Sequence, residues 1–157
     1  MTLAAEVVAR MTARGLTLAT AESTVGGLIG HLLTDVPGAS KVFMGGVAAY
    51  HGSAKLALLH VPRETLAEHG SVSEATVLAM ARGAREVLGA DVAVAESGIA
   101  SPTDNRQRPA GLYYLALVAE AYACAVRRQF AGERGETKRQ AAEAALRLVL
   151  DYLDETG

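Results

Sequence analysis

The stretch Leu16-Thr17-Leu18-Ala19-Thr20-Ala21-Glu22-Ser23 has a counterpart later in the chain, Val92-Ala93-Val94-Ala95-Glu96-Ser97-Gly98. Each is a short run of apolar and small residues that closes on Ala-Glu-Ser. Runs of this kind predict buried strands, such as the parallel strands that lie under helices on both faces. The first should span 16–21 and the second 91–97. Both serines then stand at strand ends, and in α/β sheets ligand sites gather outside the carboxyl ends of the strands. Two hydroxyls and two carboxylates so placed suggest one cleft assembled from distant segments.

The flanking sequence supplies the helices. Residues 3–14 set Leu3, Val7, Val8 and Met11 on one helical face, and Gly15 ends that helix. Residues 25–35 read as helical up to the turn Asp35-Val36-Pro37-Gly38. The run 42–50 reads as a strand, with Gly45 and Gly46 marking a bulge or a close approach. Short helices over 53–59 and 63–68 come next, the second opened by Pro62. Ser71-Val72-Ser73-Glu74 offers a cap for a long helix to residue 88, closed by Gly89. A polar loop occupies 100–111. Beyond it lie strands at 112–119 and 121–130, either joined by a tight connection or forming one bent strand. The last helix covers 135–153, with Ala141, Ala145, Leu148 and Tyr152 spaced to face the sheet. This order implies an α/β protein with a mixed sheet covered by helices on both faces. Without linker or repeat, residues 1–157 read as one domain.

Composition narrows the function classes. Half the residues are apolar, and the formal charge of −2 gives no polyanion-binding surface, so nucleic acid is not an expected partner. The lone Cys124 excludes an intrachain disulfide and a cysteine-based metal cluster, and reads as a packed strand thiol. His31, His51, His60 and His69 lack metal-ligand spacing, so no metal is expected. With no signal peptide and no apolar run near the roughly 20 residues of a membrane span, the expected location is the cytoplasm, away from the membrane. Walker, dinucleotide and G-x-S-x-G signatures are missing.

Chemistry concentrates in three places. In Ser23-Thr24-Val25-Gly26-Gly27, a serine at a strand-to-helix junction precedes glycines whose backbone amides can converge on an oxyanion. The plainer alternative makes Ser23 a helix N-cap. Lys55 is one of three lysines against twelve arginines. Burial can turn a lysine, but not an arginine, into the general base of a serine; otherwise Lys55 is a solvated surface residue. Tyr50 is placed to orient a substrate or Lys55, or simply to cap its strand. Arg106 and Arg108, in the polar loop, can meet a phosphate or remain solvated.

These residues together resemble the C-terminal domain of the competence/damage-inducible protein CinA, a family whose stand-alone members include nicotinamide mononucleotide amidohydrolases. The resemblance runs through Thr20-Ala21-Glu22-Ser23-x-x-Gly26-Gly27-Leu28-Ile29, Leu33-Thr34-Asp35-Val36-Pro37-Gly38-Ala39-Ser40 and Phe43-x-Gly45-Gly46-Val47-x-Ala49-Tyr50 to Ala54-Lys55. It continues through Val72-Ser73-Glu74, Gly98-Ile99-Ala100, Pro109-x-Gly111 and Gly132-x-Arg134. It implies a three-layer α/β/α sandwich with a mixed, mostly parallel sheet, and hydrolysis of the nicotinamide mononucleotide carboxamide without an organic cofactor. By resemblance Ser23 is the nucleophile, Lys55 its base and Tyr50 their neighbour, while Ser97 supplies a hydroxyl where the family usually has Thr. Glu22, Gly26, Gly27 and Gly98 fall on the substrate side, the amides around Gly26 and Gly27 holding the oxyanion. Arg108 and the pair Lys138 and Arg139, matching an Arg near the start of the family's last helix, would meet the phosphate. The implied partners are a small pyridine nucleotide and further copies of the chain, as homodimer or larger homo-oligomer.

The chain also departs from the family pattern. Glu96-Ser97 stands where Val-Thr is usual, and residues 100–111 lack the family's glycines. Asp104 would repel a phosphate if it pointed inward, and Thr24-Val25 replaces Cys-Thr. The rival reading is a non-catalytic descendant that binds a nucleotide or partner through the altered loop. On the family pattern, the first Ala-Glu-Ser is signature and the second coincidence.

Overall fold

The computed structural model describes residues 1–102 and 108–157. Strands β1 (Leu18–Glu22), β2 (Phe43–Ala48) and β3 (Val92–Gly98) are parallel, with β1 between the other two. Strand β4 (Leu112–Ala119) runs antiparallel to β3, and β5 (Tyr122–Gln129) antiparallel to β4. The sheet order is therefore β2–β1–β3–β4–β5, and only β4 points against the rest.

Alternation along the strands sorts the residues into two layers. Leu18, Val92, Val94, Leu115 and Leu117 meet α1 (Leu3–Arg14), α2 (Leu28–Thr34) and α6 (Arg134–Thr156), burying Val7, Met11, Ile29, Leu146 and Val149. The opposite face offers Ala19, Ala21, Ala93, Ala95 and Ala116 to α3 (Gly52–Leu59) and α5 (Glu74–Leu88), with α4 (Arg63–His69) between those helices in sequence. Alanines on the sheet let that second layer approach closely. The result is a three-layer α/β/α sandwich, as the order of elements implies.

One close contact positions α3. A Cβ at Gly83 of α5 would lie 1.9 Å from the carbonyl oxygen of Leu59, the last residue of α3. Only glycine admits that crossing, and Leu59 lies one turn beyond Lys55.

The structure shifts several expected boundaries. Helix α2 starts at Leu28 rather than 25, because Gly26 and Gly27 take φ of +64° and +106° and prolong the preceding turn. Gly27 occupies the cap position, so Ser23 is not an N-cap. A short 3₁₀ turn at Ala39–Lys41 was not foreseen. The β4–β5 connection is the tight alternative: Ala119 pairs with Tyr122, and Ala121 between them has φ +56°. Helix α6 begins at Arg134 with a reciprocal cap between Glu133 and Glu136. Asp104 and Arg106 lie outside the described residues. Among those described, no helix is long and apolar enough to cross a membrane.

Candidate active site

The carboxyl ends of β1 and β3 and the start of α3 converge on one cleft. Lys55, wholly buried on the first turn of α3, directs Nζ at Ser23 Oγ, 2.8 Å away. The same nitrogen lies 2.9 Å from each of the carbonyl oxygens of Ala49 and Tyr50. Burial lowers the Lys55 pKa, with the charge of Glu96 pulling the other way. When Lys55 is neutral, two N–H bonds satisfy the two carbonyls. Its lone pair is then left for the Ser23 hydroxyl, the arrangement a general base requires.

The turn carrying Ser23 is held by two carboxylates. Glu22 is buried, its Oε1 accepting from the Gly27 and Ile29 amides at 3.1 and 2.8 Å. Its Oε2 accepts from the Gly30 amide at 3.0 Å and the Thr20 hydroxyl at 3.2 Å. Glu96 Oε1 accepts from the amides of Ser23 at 2.6 Å and Val25 at 2.9 Å. Gly26 N–H donates to Ser23 O at 3.1 Å. The expected oxyanion role of the Gly26 and Gly27 amides therefore gives way: both are committed inside the turn. Glu22 likewise turns its oxygens to Thr20 and the first amides of α2 and does not line the cleft. Among the described residues, the Thr24 amide is the turn N–H left without an internal partner.

The cleft has a volume of about 200 Å³. Ser23, Lys55, Tyr50, Ser97 and Gly98 line it as the sequence reading expects, joined by Thr24, Ser71 and Arg134, which that reading did not assign. Tyr50 stands at the mouth, 66% exposed, while its carbonyl orients Lys55. Ser97 Oγ donates to Ser71 O at 2.8 Å and keeps its lone pairs for a ligand. Thr24 ties the turn to β3 by donating to Gly98 O at 2.6 Å and accepting from Gly98 N–H at 3.0 Å. Gly98 has no room for a side chain, since a Cβ would lie 2.1 Å from the Tyr113 ring.

The basic residues rearrange. Arg108 straps the segment before α5, donating to His69 O at 3.2 Å and Val72 O at 3.1 Å, and does not line the cleft. Lys138 and Arg139 lie about one helical turn past the head of α6 and also stand outside it. Arg134 reaches the cleft instead and donates to Ser101 Oγ. The motif Gly132-x-Arg134 was the signal that could have found it. Larger hollows of about 360 and 450 Å³, one between α1 and α6 and one beside α5, hold no paired nucleophile and base. No cluster of three or more His, Cys, Asp or Glu able to hold a metal occurs among the described residues.

A family model described as the CinA C-terminal domain matches residues 1–153. The chain belongs to the CinA family. A CinA-like protein of Anaeromyxobacter sp. (strain K) is 46% identical over 144 residues, covering 91% of this chain and 35% of that relative. The chain spans about a third of the length of the curated relatives it matches. Among solved structures, the competence/damage inducible protein from Agrobacterium tumefaciens superposes with a TM-score of 0.92 at 36% identity, covering 97% of this chain and 93% of that one. A CinA superfamily protein from Klebsiella pneumoniae gives a TM-score of 0.93 at 33% identity, covering 98% and 96%.

Proposed function

We propose that this CinA-family chain is an amidohydrolase that converts nicotinamide mononucleotide to nicotinic acid mononucleotide and ammonia. The observation that carries the reading is the buried Lys55 amine 2.8 Å from the Ser23 hydroxyl. Neutral Lys55 takes the Ser23 proton as Oγ bonds to the carboxamide carbon, and the carbonyl oxygen becomes an oxyanion. The Thr24 amide, next after the nucleophile, is the donor available to it. Collapse breaks the C–N bond, and the Lys55 ammonium returns the proton to the leaving NH₂, releasing ammonia. Water then attacks the acyl-serine carbon, giving its proton through Lys55 to Ser23 Oγ and freeing the carboxylate.

A pyridine nucleotide suits the mouth of the cleft. The exposed Tyr50 ring can lie against the cationic pyridinium. Arg134 offers a planar guanidinium to the phosphate. Homodimers or larger homo-oligomers belong to the same proposal, and light scattering of the purified chain measures them.

Ammonia release from nicotinamide mononucleotide is the test. Turnover should fall at least about a thousandfold in Ser23→Ala and in Lys55→Ala. Turnover surviving both substitutions overturns the mechanism. Binding without turnover by the unaltered chain supports the non-catalytic alternative.

A further inference from the structure

Glu96 carries a buried group that the reaction above does not use. It is fully buried; Oε1 takes two amides of the Ser23 turn, while Oε2 has no hydrogen-bond partner among the described residues. A buried carboxylate oxygen without a partner is costly, and apolar packing would do better there if the strand needed only filling. The carboxylate therefore serves its surroundings: on one side the nucleophile's own backbone, on the other the field felt by Lys55.

We propose that Glu96 is a positioning residue of the Ser23–Lys55 pair. Its carboxylate fixes the nucleophile's turn through the Ser23 and Val25 amides and supplies the negative charge that stabilises the Lys55 ammonium after proton uptake. Among the described residues it makes no hydrogen bond to Lys55, and it does not line the cleft. It acts on the base through charge and on the nucleophile through backbone. The proposal rests on the Ser/Lys reading of the cleft but not on the identity of the substrate.

The electrostatics agree in direction. Burial pushes Glu96 up to about 7, opposed by the two amides, with Glu22 adding to the rise and Lys55 opposing it. The ionisable groups facing it are Glu22 on β1, Lys55 on α3 and Tyr113 on β4, and Arg134 at the head of α6 acts on Tyr113 in turn. A negative Glu96 raises the Lys55 pKa, so removing it should let Lys55 lose its proton at lower pH.

Lysine titration reads this without substrate. Lysine labelled with ¹³C at Cε gives signals from Lys41, Lys55 and Lys138, and Lys55→Met assigns the one in question. In Glu96→Gln, which keeps a carbonyl acceptor for the two amides, the Lys55 midpoint should drop by on the order of one pH unit while the other two stay. Glu96→Val, which puts an apolar β-branched side chain on the buried strand in place of the carboxylate, provides a second variant. It should show the same drop, with hydrogen exchange of the Ser23 and Val25 amides accelerated about tenfold or more, a change that Gln should largely prevent. An unmoved Lys55 midpoint in both variants overturns the proposal, as does unchanged exchange in Glu96→Val. A shifted midpoint in a chain that releases no ammonia upholds the role of Glu96 and removes the substrate assignment instead.

Discussion

The ends of β1 and β3 carry the same dipeptide, in register on neighbouring parallel strands, and use it differently. Glu22 has both oxygens engaged by its own turn and the first residues of α2. Glu96 reaches across to the other strand's turn with one oxygen and leaves the second bare. Ser23 meets a buried amine, whereas Ser97 donates to a backbone carbonyl. The difference originates in the segment beyond each strand. After β1 the chain enters a glycine-shaped turn and a helix whose first amides need acceptors. After β3 the next described element is β4, and Glu96 finds its donors next door. Sequence similarity at two strand ends thus yields one structural clamp and one charge held in reserve.

The largest expected effect breaks the β1 side. Glu22→Ala strips acceptors from three amides and a hydroxyl. It should cost about 3 kcal/mol, lowering Tm by roughly 6–12 °C in thermal unfolding. A loss under about 1 kcal/mol would mean that the amides find other partners.

A subtler effect belongs to β3. The Glu96 pKa rises from the ordinary 4.5 to about 7 on folding, so the folded chain holds this proton to higher pH than the unfolded chain and carries the carboxylate above that point. This contribution to stability is complete below pH 4.5 and is lost as pH climbs through about 7. Glu96→Gln should remove that loss, so the Tm of the variant relative to the unaltered chain should rise by several degrees between pH 5 and pH 8. A constant difference across a pH series would sink this account. Lys55, with its pKa lowered, contributes in the opposite sense: its part of the stability returns as pH rises through its folded value.

Smaller effects separate the residues around the β3 side of the cleft. Under the proposed amidohydrolase reading, Arg134→Ala should raise KM for nicotinamide mononucleotide about tenfold with kcat little changed, while Lys138→Ala and Arg139→Ala should alter it less than about twofold. Equal effects in steady-state kinetics would return the phosphate to the pair on the next turn. Ser97→Ala should have a mild effect, roughly threefold in kcat/KM, because its hydroxyl already has a backbone partner.

Most of the architecture was legible in the sequence because small-residue strands, capping serines and glycine stops are local signals. Ser23, Tyr50 and Lys55 were legible as a set through the family pattern. What escaped depended on partners distant in sequence or on a small shift in helix phase. Glu96 meets amides 71 and 73 residues away, so no local pattern shows that it clamps the Ser23 turn. The second Ala-Glu-Ser, read as coincidence, is part of the site's framework. Arg134 displaced Lys138 and Arg139 because the first residue of α6, rather than the next turn, faces the cleft. The Gly26 and Gly27 amides looked available until the left-handed turn brought Gly27 onto Glu22.

The glycine at position 83 reaches further than its size suggests. It lies on α5, in contact with the end of the short helix whose first turn presents Lys55. A single methyl there has nowhere to go while Leu59 keeps its place. The easiest accommodation slides α3 outward and draws the amine away from the hydroxyl. Gly83→Ala would leave every cleft residue chemically intact yet detune the pair by displacement. The outer helical layer thus helps to set the Ser23–Lys55 distance, its spacing fixed where Gly83 carries no side chain.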